Sequence, residues 1–345
     1  MPAREMNVDP RYQRQARLPQ IGEAGQTALQ QARVVLVGLG ALGSVSADLL
    51  TRAGVGHLVL LDRDVVEWSN LQRQILYDEE DADQARPKAV AAVRRLKAVN
   101  RQVQLEAHAV DLSAENAPSL LQGADLILDG TDNFATRYLL NDYAVVHGLP
   151  YVYAGVVGTY GMVGALLPNG PCLRCTFPEP PEAGQSPTCR TAGVLGPAVS
   201  VMAALATAEA MKWLVGQTDA VVAGFRYVDL WSGDHRLLRS RQDPDCPCCG
   251  QGQHPWLEGR RGARGAEILC AGNAVQIPAA GDMPSLATIA ARLQGTVQGL
   301  QQSRHHLRFQ EGDLELFLFA DGRALVRGTE DPGRARALLA RTIGA

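Results

Sequence analysis

The residues of this chain with the clearest chemical potential begin with a glycine-rich turn. Gly38, Gly40 and Gly43 follow an apolar run, and such a strand-to-helix turn can present backbone N–H groups to a phosphate. Asp62 follows a second apolar run, where an acid can hold ribose hydroxyls. These residues together predict a nucleotide site, although a glycine turn alone is equally typical of close packing.

Polar and cationic residues downstream favour a triphosphate over the pyrophosphate of a dinucleotide. Asn70 and Arg73 share one polar stretch, and Lys88 follows Pro87. A proline there predicts that Lys88 lies in the first turn of a helix, where an anionic ligand would compensate its charge beside the positive dipole end. An ordinary solvated loop is the alternative for Asn70 and Arg73. ATP chemistry is therefore favoured over hydride transfer.

Two acids end a further apolar run, just before Asn133. Ligands of open α/β sheets bind at the carboxyl ends of strands, so Asp129 and Asp132 should face the crevice of the glycine turn. One carboxylate there can hold Mg²⁺ against the phosphates of ATP. We expect this role for Asp132 and a structural role for Asp129, with capping of the next helix as the alternative for either acid.

The cysteines form the most specific spacing signal. Cys172, Cys175, Cys246 and Cys249 make two Cys-x2-Cys pairs, which predict a closed tetrahedral Zn²⁺ site of structural type. Cys248 makes the second pair ambiguous, and Cys246 with Cys249 is preferred because two intervening residues let both sulfurs chelate one ion.

Cys189 stands apart from these pairs, next to Arg190. A neighbouring arginine favours the thiolate and makes the cysteine a candidate nucleophile. A solvent-facing cysteine without a role is the equal alternative.

Composition limits the class of protein. The 345 residues are 46% hydrophobic and 20% charged, as in ordinary globular proteins. A net charge of −3 argues against a nucleic-acid partner bound through phosphate neutralisation. No apolar stretch is long enough for a membrane span, and the first residues are too polar for a secretory signal. We expect a cytoplasmic protein with reduced thiols.

Alternating strand and helix patterns predict an α/β fold with a doubly wound, mostly parallel sheet, a hairpin extension and a small C-terminal α+β domain. The expected strands of the main sheet are 33–37, 57–62, 103–109, 124–129 and 150–157, and the expected helices are 41–53, 87–99, 114–121 and 133–147. Next we expect a hairpin at 161–167, a turn at 168–170, a proline-rich crossing loop at 177–188, a helix at 197–215 and strands at 221–230 and 235–240.

The expected divisions are an N-terminal arm with a short helix (1–32), the main domain with the zinc site (33–250), a linker (251–265) and the C-terminal domain (266–345). The last should contain a strand, a helix at 285–294, another strand, a hairpin at 314–326 and a final helix.

Together these motifs resemble the MoeB/ThiF/HesA family of ubiquitin-activating-type adenylyltransferases. The resemblance covers residues 10–250 and rests on Arg11-Tyr12-x-Arg14-Gln15, the glycine turn, Asp62-x-Asp64, Ser69 to Gln74, Arg86-Pro87-Lys88, Gly130 to Asn133 and the four cysteines. It implies that ATP adenylates the C-terminal glycine of a ubiquitin-like sulfur carrier, of the MoaD or ThiS kind and ending in Gly-Gly. It also implies a homodimer.

The same resemblance implies roles at matching positions. Gly40, Asp62 and Asp64 would hold adenosine, and Asn70, Arg73 and Lys88 the triphosphate. The full nucleotide-binding set would be Gly38, Gly40, Gly43, Asp62, Asp64, Ser69, Asn70, Leu71, Gln72, Arg73, Lys88, Asp132 and Asn133. Catalysis would rest on Arg14, Arg73, Lys88 and Asp132 with Mg²⁺, and Arg14 would reach into the partner subunit's ATP site.

Two departures from the family concern sulfur chemistry. The family commonly reads Ala-Glu-Ala-Gly after the position of Cys189, whereas this chain reads Arg190-Thr191-Ala192-Gly193, which leaves open a covalent role of Cys189 as nucleophile. Eukaryotic relatives carry a C-terminal rhodanese domain with a loop cysteine; residues 266–345 are short for that domain and lack such a loop, so we expect a separate sulfurtransferase.

Three other functions remain as alternatives: an adenylating enzyme acting on tRNA, a nicotinamide-dependent oxidoreductase, and a non-catalytic scaffold. The carrier, and hence a pathway to molybdopterin, thiamine or thiolated tRNA, stays open.

Overall fold

A computed structural model describes residues 7–181, 189–262, 267–268, 273–279 and 283–343. The chain divides into two compact units, Met1–Arg261 (unit 1) and Gly262–Ala345 (unit 2). Most of the proline-rich crossing loop expected at 177–188 lies outside the described residues. None of the described helices is long and apolar enough to cross a membrane.

Unit 1 alternates helices and strands along most of its length. Its elements are α1 (Gln13–Ala16), α2 (Gly22–Gln31), β1 (Arg33–Val37), α3 (Ala41–Ala53), β2 (His57–Leu61), a 3-10 turn (Trp68–Asn70), α4 (Glu79–Asp83), α5 (Lys88–Val99), β3 (Gln104–His108), α6 (Ala117–Leu120), β4 (Leu126–Asp129), α7 (Phe134–His147), β5 (Tyr151–Val157), β6 (Tyr160–Leu166), α8 (Leu173–Thr176), α9 (Cys189–Ala192), α10 (Gly196–Leu214), a second 3-10 turn (Thr218–Ala220), β7 (Phe225–Asp229) and β8 (Asp234–Leu238).

The main sheet confirms the predicted doubly wound class. Its strand order is β3-β2-β1-β4-β5-β6-β7-β8. The pairs from β3 to β5 are parallel, and those from β5 to β8 are antiparallel. The order reverses between β1 and β4, and a ligand crevice opens at such a switch point beyond the carboxyl ends of the strands.

The hairpin extension differs from its predicted form. β5 and β6 pair antiparallel through a turn that contains Gly158, whose φ is +59°. A tight hairpin needs this left-handed conformation, and glycine adopts it without a Cβ clash. The turn expected at 168–170 also exists, but it leads into α8 and not into a returning strand.

The N-terminal segment has two helices, where the sequence predicts one within a polar arm. Tyr12 and Leu29 are buried, and a Cβ on Gly54 would lie 2.5 Å from the Tyr12 ring. Gln15 Nε2 donates to the carbonyl of Ala53 at 3.0 Å. These contacts attach α1 to the C-terminal end of α3.

The segment predicted as a linker is packed onto unit 1 as far as Arg261. Trp256 is 4% exposed, its ring centroid lies 4.6 Å from that of Tyr138, and the guanidinium of Arg174 stacks on it. Glycine and arginine content suggested a linker, but this one buried aromatic residue fixes the segment, because a large ring removes much apolar surface from water.

Unit 2 is an antiparallel α+β unit. Its elements are β9 (Glu267–Ile268), β10 (Ala274–Ile277), α11 (Leu286–Leu293), β11 (Gln298–Gln302), β12 (His306–Glu311), β13 (Leu314–Phe319), β14 (Ala324–Arg327) and α12 (Pro332–Ile343). Their order in the sheet is β11-β12-β13-β14-β10-β9. Two strands, β11 and β12, occupy the region between α11 and the predicted hairpin, where we expected one.

Candidate functional site

The glycine turn brings the ends of β1 and β4 into contact. Gly38 has a φ of +85°, and a Cβ on it would lie 2.7 Å from the carbonyl carbon of Gly130. A Cβ on Gly43 would lie 1.8 Å from the Gly38 oxygen. These glycines therefore let the backbone segments pack against each other.

Gly40 differs from its neighbours because no backbone crowds it. Among the described residues outside its own helix and its chain neighbours, only Gln74 Nε2 lies within 4 Å of a Cβ built there, at 3.8 Å. Gly40 is the N-cap residue of α3, and it provides no side-chain hydrogen bond to the first turn of the helix. The first N–H groups of a helix lack intrahelical partners, so this end of α3 can accept an anion.

Asp62 fastens the glycine turn to the end of β2. Its Oδ2 accepts the N–H of Leu39 at 2.6 Å and its Oδ1 accepts the N–H of Asp64 at 2.7 Å. The side chain is buried, and burial raises its pKa while the charge of Lys88 opposes that rise. Asp62 thus shapes the turn, and each carboxylate oxygen retains a lone pair for a ribose hydroxyl.

Lys88 begins α5, as predicted, but its charge is compensated within the chain. Nζ lies 3.0 Å from Asp64 Oδ2, and the Lys88 N–H donates to the Asp64 carbonyl at 2.9 Å. Burial opposes the charged form, but Asp64 and Asp62 outweigh it and raise the Lys88 pKa above its usual value. The ammonium is therefore charged and held in place before a ligand arrives.

The 3-10 turn positions the polar stretch between β2 and α4. Asn70 is buried, and its Oδ1 accepts the N–H of Glu67 at 3.1 Å. Arg73 is half-buried and donates from Nη1 to the Ser69 carbonyl at 2.8 Å. Ser69 and Gln72 are exposed. Leu71 packs at the edge of the hydrophobic core and offers only its backbone to a ligand.

The acid that ends β4, Asp129, and the acid in the following loop, Asp132, have separate roles. Asp129 is fully buried; its Oδ1 accepts from the N–H and hydroxyl of Thr131, and its Oδ2 from Tyr151 OH, each at 2.7 Å. Asn133 caps α7, because its Oδ1 accepts the N–H of Thr136 at 2.9 Å. Asp132 is exposed and forms no hydrogen bond or ion pair within the described residues. Its carboxylate is available to a ligand or a cation.

Sequence reasoning missed two residues beside this crevice. Gln74 is 4% exposed, and its Oε1 is buried without a partner among the described residues. The sequence signal for Gln74 was its position directly after Arg73. Arg137 is buried and donates from Nη2 to the carbonyls of Thr131 and Ala154 at 2.7 and 3.1 Å, so it supports the loop that carries Asp132.

Arg14 lies apart from the glycine turn, Asp62 and Lys88 of its own chain. It is exposed, and its neighbours Tyr12 and Gln15 contact the C-terminal end of α3. The glycine turn lies at the opposite end of this 13-residue helix, a distance of roughly 20 Å. Arg14 therefore lies outside the site that the glycines of its own chain form.

The four paired cysteines meet as predicted. Their sulfur atoms lie within 4.8 Å of one another, with 3.6 Å between Cys172 and Cys246, 3.4 Å between Cys175 and Cys249 and 4.0 Å within the first pair. Four thiolates around one zinc ion would lie about 3.8 Å apart. The donor set and its spacing fit Zn²⁺.

Cys189 begins the four-residue helix α9, and its side chain lies outside the described residues. The role of Cys189 as a nucleophile therefore stays a prediction.

The geometry agrees with comparisons to known proteins. A model of the ThiF family matches residues 12–248. The chain belongs to the ThiF family. This ThiF-family chain is 39% identical over 338 residues to the sulfur carrier protein ThiS adenylyltransferase of Bacillus subtilis, covering 97% of this chain and 99% of that protein. It is 43% identical over 246 residues to the sulfur carrier protein adenylyltransferase of Thermus thermophilus, covering 70% of this chain and 90% of that one.

Solved structures share the fold of the ThiF-family chain. The crystal structure of Escherichia coli MccB with ATP is similar, with a TM-score of 0.59 at 23% identity. That match covers 66% of this chain and 69% of MccB.

Proposed function

We propose that this protein is an adenylyltransferase that uses ATP to adenylate the C-terminal glycine of a ubiquitin-like sulfur carrier ending in Gly-Gly. The observation that carries the proposal is the convergence of three features at the switch point of the sheet: the start of α3, which can bind an anion, the buried cation Lys88 and the exposed carboxylate of Asp132. A dinucleotide enzyme needs only the first of these. The names of the relatives from Bacillus subtilis and Thermus thermophilus support the same activity.

The reaction requires positioning and charge neutralisation by the chain's own residues. A carrier carboxylate oxygen attacks the α-phosphorus of ATP, the bond from this phosphorus to the bridging oxygen breaks, and pyrophosphate leaves with the electron pair. The start of α3 at Gly40 binds phosphate oxygens, while Arg73 and Lys88 offset the charge that develops on the leaving group. No covalent protein group takes part, so Cys189 has no role in this step.

Two metal ions are proposed with different roles. The exposed carboxylate of Asp132 fits Mg²⁺, a hard cation that prefers oxygen ligands, and Mg²⁺ would supply further charge neutralisation at the phosphates. The Cys172, Cys175, Cys246 and Cys249 set fits Zn²⁺ as a structural ion that connects the segment after β6 to the segment after β8.

Exposed apolar side chains support a protein as the second substrate. Trp68 is 56% exposed and Ile75 53%, and both flank the segment that holds Asn70 and Arg73. Phe134, after Asp132 and Asn133, is 36% exposed. Aromatic side chains are enriched in protein–protein interfaces, and Trp68 and Phe134 are exposed for such a contact. Tests with candidate carriers should begin with a ThiS-type protein, because the relative that aligns over nearly the whole chain is named for ThiS.

The proposed partners include a second copy of the chain, which supplies Arg14 to the site, and a separate sulfurtransferase for the next step. We propose that residues 33–250 form the adenylation domain and that residues 266–345 form a separate C-terminal domain.

Pyrophosphate exchange tests the activity. The purified chain with ATP, Mg²⁺ and a carrier ending in Gly-Gly should exchange labelled pyrophosphate into ATP. Arg73→Ala should reduce the exchange by about 10²–10³-fold, because one charge on the leaving group is no longer offset. The matched control is Arg95→Ala, an exposed arginine on α5, which should exchange normally. Exchange without a carrier, or its absence with both ThiS-type and MoaD-type carriers, would contradict the proposal.

A further inference from the structure

Cys248, the cysteine left out of the zinc set, lies in a second cluster of metal-ligand side chains. Asp142 from α7 and His254 from the segment after β8 join it, with one ligand atom of each residue within 4.8 Å of the others. Cys248 Sγ lies 3.5 Å from Asp142 Oδ1 and 3.6 Å from His254 Nδ1. A tetrahedral zinc ion holds a sulfur ligand about 3.5–3.6 Å from its nitrogen and oxygen ligands.

Groups around the cluster hold the ligand atoms in place. Asn141 Nδ2 donates to Cys248 Sγ at 3.4 Å, and its Oδ1 accepts the N–H of Leu173 at 2.8 Å, which orients the amide. The second oxygen of Asp142 accepts the N–H of Trp256 at 3.1 Å. Such outer hydrogen bonds commonly orient metal ligands.

The charge of the cluster also favours a cation. Asp142 and Cys248 are both 0% exposed, and no lysine or arginine among the described residues forms an ion pair with Asp142. A buried carboxylate without a counter-ion is costly. A divalent cation would compensate it and would use the sulfur of Cys248 and the imidazole of His254 as further ligands.

We propose that Asp142, Cys248 and His254 bind a second Zn²⁺ ion beside the four-cysteine site. Cys172 and Cys248 belong to the same buried cluster of cysteines, so the two sites are adjacent. The second ion would fasten the segment 246–254 to α7, in addition to the packing of Trp256 on Tyr138.

Metal counting on the full-length chain tests the inference. After loading with Zn²⁺ and removal of loosely bound metal, elemental analysis should find two ions in the wild type and one in both Cys248→Ala and His254→Gln. The matched control His235→Gln alters an exposed histidine on β8 and should retain two. One ion in the loaded wild type, or two in both site variants, would overturn the proposal.

Cobalt substitution separates the second site from damage to the first. Thiolate-to-Co²⁺ charge-transfer absorption reports cobalt–sulfur bonds, of which the four-cysteine set provides four and Cys248 one. Cys248→Ala should lose only the contribution of a single thiolate, and His254→Gln should change the d–d bands of one ion. Spectra of both variants that superimpose on that of the wild type would show that Cys248 is a hydrogen-bonded thiol without a metal.

Discussion

Two buried side chains of this protein, Lys88 and His306, differ in their charge state. Lys88 is buried and stays charged because Asp64 and Asp62 face it. His306 in β12 is also buried, but its ring lies near the rings of Phe317 and Phe319, and the neighbouring charges are positive. Burial, with His305 and nearby arginines, lowers the pKa of His306 to about 4. The first group is held ready for a ligand and the second is kept neutral.

The burial of His306 predicts that unit 2 loses stability at acidic pH. Because its pKa is depressed on folding, neutral His306 contributes stability above the unfolded value of 6.5, and this contribution is lost as the pH falls towards the folded value of about 4. The difference corresponds to roughly 3 kcal/mol. Hydrogen exchange of the β12 and β13 amides, after correction for the intrinsic pH dependence of amide exchange, should therefore accelerate as the pH falls from 6.5 to about 4. His306→Phe should remove most of the effect, while the partly exposed His305→Gln should retain it. Equal acceleration in wild type and His306→Phe would contradict this assignment.

At the scale of elements, the glycine turn serves packing and binding through different residues. Gly38 and Gly43 bring the end of β1, the start of α3 and the end of β4 together, because a Cβ at either position would overlap backbone. A Cβ on Gly40 would instead approach the side chain of Gln74, at 3.8 Å. The same motif thus contains structural glycines and one glycine that leaves room for a phosphate.

Substitutions to alanine should separate these two roles. Gly43→Ala places a Cβ 1.8 Å from the Gly38 oxygen, and overpacking of this kind should lower the free energy of unfolding by at least about 1–3 kcal/mol. Gly40→Ala should unfold near the wild-type temperature and yet bind ATP at least about tenfold more weakly, because the methyl group occupies the phosphate position. Thermal unfolding and ATP titration of both variants check this. Wild-type ATP affinity in Gly40→Ala would contradict a phosphate site at this turn.

At the scale of the molecule, each proposed active site draws on residues that one chain cannot bring together. Arg14 is attached to the far end of α3 from Gly40, roughly 20 Å away along the helix axis. A symmetric dimer can place the Arg14 of one subunit at the glycine turn of the other, and twofold dimers are the commonest oligomers. The separation along α3 is the physical basis of the proposed dimer.

Complementation between inactive variants tests the shared site. Arg14→Ala and Arg73→Ala should each be inactive in pyrophosphate exchange. Subunits mixed under exchanging conditions should recover about a quarter of wild-type activity, because half of the dimers are mixed and each of these has one intact site. The control mixture of Arg73→Ala with Lys88→Ala should stay inactive, since both lesions lie in sites formed by their own chains. No recovery with Arg14→Ala, although mixed dimers form, would exclude the arrangement.

Local sequence patterns determined much of the fold and many of the candidate residues. Strand and helix periodicity located the parallel sheet because both patterns depend on neighbouring residues. The Cys-x2-Cys spacing predicted the zinc ligands because chelation by each pair is also local. The β5–β6 turn and the fold of 251–261 were not predicted correctly, since the former depended on one glycine conformation and the latter on one buried tryptophan.

The sequence by itself determined which residue types were available: a glycine turn, cations, acids and two cysteine pairs. Only the tertiary structure decided how they are used, because partners distant in sequence set the environment of each side chain. It paired Lys88 with Asp64, enclosed Asp129 and left Asp132 exposed, and it placed Arg14 beyond reach of its own glycines. It also brought Cys248 to Asp142, residues that no local pattern connects, since only the packing of α7 against the cysteine segment places them together.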